Sequence, residues 1–346
     1  MVSLSDISEI CDVSIGTASK ALTGKPGVGQ STRERILNVA RQYNYRANRM
    51  VHAMQSGQSM TIGIACNNCQ DPFTGEIVKG MLSALYTAKY DAITISWDLC
   101  VESQESVLRT LAERRIDGLL MCPSAKPPSA SYLAELNSFH RPIVVVDQEF
   151  PGGAYDFVGS DDAEGAFQAT EHLIQLGHRR IGALSFLQVS TGRARLAGFQ
   201  RAMIRHGLAM KERDMPDIQT YESDEASVTA ARLLCSGDAP TALVAFNDFF
   251  AMQAIAAAHH CGLRIPEDIS VIGFADLGYA AYLHPSLTTV AQTPVVIGRR
   301  AAELLLGRIE QKKSGENAAA PTPVCERIPV ELVVRKSTGP APTPLP

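Results

Sequence analysis

The residues best placed to do chemistry near the N-terminus lie in the stretch DVSIGTASKAL, residues 12–22. Ser14 is placed to cap a short helix whose apolar positions face inward, so its opposite side stays free. An α-helix of this size fits the major groove of DNA, where each base pair presents a distinct donor and acceptor pattern. The residues left facing outward are Ile15, Gly16, Thr17 and Lys20. The stretch therefore predicts a recognition helix that binds double-stranded DNA.

Two further short helices are predicted around it, so that residues 1–45 form a three-helix head with a helix-turn-helix. Ser5 can cap the first helix, in which Ile7 and Ile10 are spaced to face inward. The second helix is predicted from Ile15 to Leu22, and the third runs roughly from Ser31 to Tyr43.

Charge is distributed unevenly along the chain. Residues 1–60 carry seven Lys or Arg against four Asp or Glu, a net charge of +3, whereas the whole chain carries −4. A basic head on an acidic body is expected where one end of a protein contacts a polyanion. The candidate phosphate contacts are Lys20, Lys25, Arg33, Arg46 and Arg49.

Other features of the sequence exclude several classes of protein. Apolar runs are too short for a membrane span and the N-terminus lacks a secretion signal, so we expect a cytoplasmic protein. In that compartment the eight cysteines are expected to be reduced thiols. Cys66 and Cys69 form a lone CxxC without a second pair, so neither a metal site nor a cofactor is predicted.

From Thr61 onward, short apolar strands alternate with helices, which is typical of α/β proteins with doubly wound parallel sheets. The strands are too many for one sheet of usual size, so two similar lobes are expected. Ligands of such sheets bind beyond the carboxyl ends of the strands, which would face a shared cleft. The predicted strands are 61–67, 91–97, 118–123, 142–147, 157–160, 180–185, 241–247, 269–274, 287–291 and 332–335.

These motifs resemble those of a known family. The head, LSDISEICDVSIGTASKALTGKPGVGQSTRERIL, is similar to the DNA-binding head of LacI/GalR-type bacterial transcription regulators. The segment YRANRMVHAM lies where that family has its hinge helix. Further matches follow in the same order, namely DGLLMCPS, HLIQLGHRRIGALS, RLAGFQRAM, PTALVAFNDFFAMQAI, IPEDISVIGFADL, LTTVAQ and ELVVRKST. The resemblance implies a homodimer on a pseudo-palindromic operator, with a body similar to periplasmic sugar-binding proteins.

The resemblance also predicts the domain organisation. The head spans 1–45, a hinge helix or linker spans 46–60, the body spans 61–336 and a Pro-rich tail spans 337–346. The tail has too many prolines to be helical and is expected to be frayed. Within the body, the N-lobe is predicted at about 61–160 plus 292–325, and the C-lobe at about 161–291 plus 326–336.

The DNA contacts that the resemblance implies lie in the recognition helix and the hinge. Ile15 and Gly16 occupy the base-reading positions, while Thr17 and Ser19 match phosphate contacts or caps. The hinge contacts are expected at Asn48, Arg49, Val51 and Met54. Met54 stands where the family has a leucine that inserts into the minor groove, and it is apolar and flexible enough to do the same.

A sugar-like effector is expected in the cleft, because such sites combine charged or amide groups with an aromatic ring. The residues that match effector contacts are Asp71, Phe73, Asp147, Arg195, Asn247 and Asp276. One departure is Ala275, which stands where the family has a carboxylate that reaches the effector. Its loss removes one charge-assisted contact.

The function predicted from these features is that of an effector-controlled, sequence-specific transcriptional regulator, most simply a repressor. One alternative is a solute-binding protein that delivers a small ligand to a transporter, for which the basic head would have no purpose. A second alternative is an α/β enzyme, but the sequence lacks a P-loop, a GxSxG elbow and a metal cluster.

Overall fold

The computed structural model describes residues 2–45, 58–66, 68, 70–97, 101–123, 129–150, 155–221, 224–314 and 322–342. The chain divides into two compact units: Met1–Ser59, which includes the head, and Met60–Pro346, which includes the body. The predicted hinge contacts Asn48, Arg49, Val51 and Met54 lie outside the described residues, as does the predicted phosphate contact Arg46.

The head is built from three short helices around a small apolar core. They are α1 (Leu4–Ile10), α2 (Ile15–Leu22) and α3 (Gln30–Gln42), and the bounds of α2 are those predicted. The buried core side chains are Ile7, Cys11, Ala21 and Ile36. Within α2, Ala18 and Ala21 are buried, whereas Ile15, Gly16 and Lys20 are exposed and free for contacts outside the head.

Two predictions for α1 were wrong. The cap is Ser3, whose Oγ accepts from the N–H of Asp6 at 3.2 Å, while Asp6 accepts from the N–H of Ser3 at 2.8 Å. This reciprocal capping box needs an acidic residue three positions after the cap, which Ser3 has and Ser5 lacks. Ile10 is 48% exposed, because the inward side of α1 runs through Ile7 and Cys11.

The N-lobe of the body is formed around a parallel six-stranded sheet with the order β10-β5-β4-β3-β1-β2. Its strands are β1 (Thr61–Cys66), β2 (Asp91–Ser96), β3 (Gly118–Met121), β4 (Ile143–Val146), β5 (Asp156–Ser160) and β10 (Cys325–Ile328). Its helices are α4 (Pro72–Thr87), α5 (Val101–Glu113), α6 (Ala130–Ser138) and α11 (Pro294–Lys313). α4 and α11 cross where a Cβ on Gly298 would lie 1.9 Å from the carbonyl oxygen of Ile77, so this position requires glycine.

The C-lobe is formed around a five-stranded sheet with the order β11-β9-β8-β7-β6. Its strands are β6 (Ile181–Leu184), β7 (Ala242–Ala245), β8 (Ser270–Ala275), β9 (Thr288–Ala291) and β11 (Glu331–Val333). Only β11 is antiparallel to its neighbour in this sheet. Its helices are α7 (Asp162–Gln175), α8 (Ser190–Arg205), α9 (Glu225–Leu234) and α10 (Asp248–His260), with short 3₁₀ turns at Glu212–Asp214 and Ala280–Tyr282.

The chain passes between the lobes after β5, after β9 and after β10. Strand β10 was not predicted, and it pairs with β5 from Cys325 to Ile328. The predicted lobe boundary after residue 325 was therefore too early, since residues 326–328 belong to the N-lobe. The segment CERI carries two charged residues, which gave it no strand-like apolar run.

The C-terminal segment is docked on the C-lobe as far as the described residues extend, so the prediction that it frays was wrong for residues 337–342. Ser337 donates to the carbonyl of Val271 at 2.6 Å, and the N–H of Ala341 donates to Leu176 at 2.9 Å. Between them, the buried ring of His178 lies 3.1 Å from the carbonyl oxygen of Gly339. Hydrogen bonds to the C-lobe therefore hold residues 337–341 in place, although the prolines keep this segment from being helical.

The prediction that all cysteines are reduced thiols was also wrong. Cys235 and Cys261 form a disulfide with their Cα atoms 5.7 Å apart. They are the C-cap residues of α9 and α10, two helices that pack against each other. Cys11 in the head and Cys325 at the start of β10 are free thiols.

Candidate functional site

The N-terminal end of α2 is fixed by a cap and exposes its first turn. Ser14 accepts from the N–H of Thr17 at 3.1 Å, and the two hydroxyls lie 2.9 Å apart. Ile15 is 51% exposed and Gly16 is exposed beside it. Unpaired backbone N–H groups at a helix N-terminus attract anions, so this end can approach a phosphate while Ile15 contacts bases.

In the described part of the head, the predicted phosphate contacts are the basic residues Lys20, Lys25 and Arg33 and the hydroxyl-bearing residues Thr17 and Ser19. Lys20 and Lys25 are exposed, whereas Ser19 and Arg33 are half-buried. Arg33 donates to the carbonyl of Lys25 at 2.6 Å, which braces the turn after α2. Arg33 therefore has a structural role that the sequence did not indicate. Only its remaining N–H groups can donate to a DNA phosphate.

The body contains a cavity of about 280 Å³ where the carboxyl ends of strands from both sheets meet. Five of the six predicted effector residues line it, and these are Asp71, Phe73, Asp147, Arg195 and Asn247. The other polar lining residues include Asn68, Thr74, Gln148, Gln188, Thr191, Tyr221 and Gln292. Aromatic rings line the cavity at Phe73, Phe186, Tyr221, Phe246 and Phe274.

Arg195 of α8 is held by partners on two other elements. Its Nε and Nη2 atoms lie 2.8 and 2.7 Å from Oδ1 of Asp162, and Nη1 donates to the carbonyl of Phe246. Its guanidinium also lies 3.9 Å from the ring centre of Phe274. The positive charge of Arg195 is therefore balanced within the protein, and only its remaining N–H groups are available to a ligand.

Asp147 directly follows β4, at a backbone φ of 69°. Its Oδ1 atom is buried and has no hydrogen-bond partner among the described residues. Burial raises the pKa of Asp147 to about 7; the negative charges of Asp162 and Asp71 add to the rise, and Arg195 opposes it. A buried carboxylate oxygen without a partner is costly, so Oδ1 of Asp147 is a ready acceptor for a ligand.

Two other lining residues cap helices and face the cavity. Asp71 caps α4, and its Oδ2 accepts from the N–H and the hydroxyl of Thr74 at 3.0 and 2.8 Å. Asn247 caps α10, with Oδ1 accepting from the N–H of Phe250 at 2.6 Å. The amide nitrogen of Asn247 is thus its free group, a donor for an acceptor atom on a ligand.

The sixth predicted effector residue, Asp276, does not line the cavity. Its carboxylate pairs with Arg335 at 2.7 Å. The backbone turns through positive φ angles at Ala275 and Asp276, 137° and 55°, so the side chain after β8 leaves the cavity. Ala275 itself lines the cavity, so the C-lobe offers no carboxylate at the end of β8.

The sequence analysis missed two notable lining residues. Gln292 directly follows β9 and donates to Ser160 at 2.6 Å; the strand-end rule that pointed to Asp147 would also have found it. Tyr221 lies in a loop without a strand or helix pattern, and it stacks on Phe249 with 5.5 Å between ring centres. No local sequence signal marks Tyr221, because its neighbours come from distant segments.

Among the described residues, no group of three or more His, Cys, Asp or Glu side chains is arranged to hold a metal ion. No helix in the described ranges is long and apolar enough to cross a membrane.

Comparison with known proteins covers both units. Residues 3–48 match the model of bacterial regulatory proteins of the lacI family, and residues 170–338 match a periplasmic binding protein-like domain. The chain is 31% identical over 339 residues to the HTH-type transcriptional repressor PurR of Photobacterium profundum, covering 97% of this chain and 98% of that protein.

Solved structures agree with this relationship. A lac repressor dimer bound to operator and the anti-inducer ONPF matches with a TM-score of 0.85 and 25% identity, covering 98% of this chain and 99% of that chain. A complex of the transcriptional regulator CelR with cellobiose matches with a TM-score of 0.72 and 25% identity, covering 97% of this chain and 100% of that chain. The protein is therefore a DNA-binding transcriptional regulator, not an enzyme, and it belongs to the lacI family of bacterial regulatory proteins.

Proposed function

We propose that this regulator is a homodimeric repressor that binds a pseudo-palindromic operator through α1–α3 and is controlled by a small molecule in the body cavity. The observation that carries the proposal is the capped end of α2, which exposes Ile15 and Gly16 next to Lys20. An apolar side chain suits a thymine methyl group, and glycine permits close approach to the bases. Contacts to phosphate from Thr17, Ser19 and the lysines set the orientation.

The hinge contributes the second set of DNA contacts. Asn48, Arg49, Val51 and Met54 are assigned to it from the family resemblance, with Met54 inserting between base pairs from the minor groove. Gly16 offers no side chain for base readout, so more of the specificity depends on the hinge and on DNA shape.

The cavity provides the control. A ligand that contacts both lobes favours the lobe arrangement it fits best, and the hinge segments follow that arrangement. Operator and ligand must then affect each other's affinity by the same factor. The CelR–cellobiose complex supports a small-molecule effector in this fold, and the sugar expected from the sequence remains one candidate class.

Selection from a random duplex library with the full-length protein tests the DNA-binding part. We expect enrichment of a palindromic site whose affinity falls steeply with salt, because several phosphates are neutralised. Lys20→Gln should weaken binding about 3- to 10-fold and lower the salt slope by about 1. Lys79→Gln is the matched control, since Lys79 is an exposed lysine of the body paired with Glu76. Enrichment no better than random duplex would contradict the proposal.

A further inference from the structure

The charged groups that line the cavity do not balance. Among the described lining residues the charged side chains are Asp71, Asp147 and Arg195. Arg195 is already neutralised by Asp162 at 2.7 Å. The charge that a ligand meets is therefore that of the two carboxylates, both contributed by the N-lobe. Anionic ligands are disfavoured in such a cavity, since they would bring a third negative charge into a site of low dielectric.

The carboxylate of Asp147 also lacks a hydrogen-bond donor. Its Oδ1 atom is buried without a partner, whereas Asp71 already accepts two hydrogen bonds from Thr74. A ligand that places a donor on Oδ1 of Asp147 removes the cost of leaving it unpaired. A charged donor gains more than a neutral one, because charge-assisted hydrogen bonds are roughly twice as strong.

The opposite side of the cavity is largely apolar. Tyr221 and Phe186 of the C-lobe lie 6.3 Å apart between ring centres, and both line the cavity. Ala275 and Leu277 continue this side without a carboxylate. Such a wall suits an apolar or aromatic body, and ring faces also attract cations.

We infer that the effector carries a protonated amine attached to an apolar or aromatic body, with the amine at Asp147 and the body against Tyr221 and Phe186. This inference rests on the proposed function, because it names the ligand class of the same cavity. The amide nitrogen of Asn247 gives the ligand room for one additional acceptor group.

Thermal unfolding of the full-length protein with compounds of one skeleton tests the charge requirement. The probes are 2-phenylethylamine, 2-phenylethanol and phenylacetate, with D-glucosamine, D-glucose and D-gluconate as a hydroxylated set. We expect the aromatic amine to raise Tm most, the alcohol less and the acid not at all, since binding to the folded state raises Tm. Asp147→Asn keeps the shape of the side chain, and it should weaken amine binding at least about 10-fold in calorimetry.

Titration provides a second readout. Asp71 of α4, Asp162 of α7 and Arg195 of α8 face Asp147, whose pKa burial raises to about 7. 2-Phenylethylamine, a simple alkylamine, stays protonated from pH 6 to pH 8 while Asp147 loses its proton. Amine affinity should therefore rise by about 10-fold across this range, and Asp147→Asn should abolish the rise.

The control variant is Asp224→Asn, which removes an exposed carboxylate that makes no side-chain cap bond at the start of α9. It should leave amine binding unchanged. A larger shift with D-glucose or with either acid than with the amines would overturn the inference, as would no shift with any amine. Operator selection is performed without effector, so a failure of the proposed DNA binding is detected separately.

Discussion

The N-lobe supplies the cavity with unbalanced carboxylates, whereas the C-lobe supplies a balanced guanidinium, an amide and aromatic rings. The lobes also differ in how they are held together. The C-lobe has a disulfide between α9 and α10 and a docked C-terminal segment, whereas Cys325 of the N-lobe is an exposed free thiol. In the binding mode that we infer, the C-lobe is the rigid side of the cavity and the N-lobe carboxylates select the charge of the ligand.

The two lobes are similar in how their helices pack, although they contribute different side chains to the cavity. Each has a pair of helices that cross on glycine. A Cβ on Gly298 would lie 1.9 Å from Ile77 O in the N-lobe, and one on Gly198 would lie 2.0 Å from Ala163 O in the C-lobe. The lobes therefore differ in the residues that follow their strands, in the disulfide and in the docked C-terminal segment. Single substitutions at those places can test the contrast.

The largest effect is expected from Arg195→Ala, because it leaves the carboxylate of Asp162 buried without its partner. The free energy of unfolding should fall by about 3–5 kcal/mol in urea titrations. Arg195→Ala combined with Asp162→Asn should recover part of that loss, since the second change removes the unpaired charge. If the free-energy losses of the two single variants simply add in the double variant, the ion pair between Arg195 and Asp162 does not stabilise the C-lobe.

Removal of the disulfide should have the next largest effect. Cys235→Ser opens a closed loop with a sequence separation of 26 and should lower the free energy of unfolding by about 3 kcal/mol. Cys325→Ser, at an exposed free cysteine of the N-lobe, is the matched control and should change it little. An equal fall in the free energy of unfolding in both variants would show that the disulfide does not make the C-lobe more stable than the N-lobe.

Asp147→Asn should show a smaller effect that depends on pH. Burial raises the pKa of Asp147 from 3.8 in the unfolded chain to about 7 in the folded protein. The folded protein therefore binds this proton more tightly than the unfolded chain does. The contribution of Asp147 to the free energy of unfolding therefore declines as pH rises from about 4 to about 7. The ligand-free variant should match the wild type near pH 4 and be more stable by about 1–3 kcal/mol at pH 8. A difference that is the same at both pH values would assign the effect to packing.

Features set by local sequence were predictable, and features set by distant neighbours were not. The local motifs behind the family resemblance assigned Asp147 and Asn247 to the effector, and both line the cavity; the cap at Ser14 fixed the start of α2. The disulfide depends on two C-cap residues that meet only after α9 and α10 pack. Asp276 was misplaced because the turn after β8 depends on backbone angles that a strand pattern does not encode.

The late position of β10 in the chain has a consequence for biosynthesis. The edge of the N-lobe sheet next to β5 stays open until residues 325–328 have been translated, and α11, which covers this lobe, also comes late. A ribosome-bound nascent chain thus exposes an unpaired strand edge from the synthesis of β5 to that of β10, when such edges are prone to mispairing. Chaperone binding to stalled chains should therefore persist until this last segment has emerged.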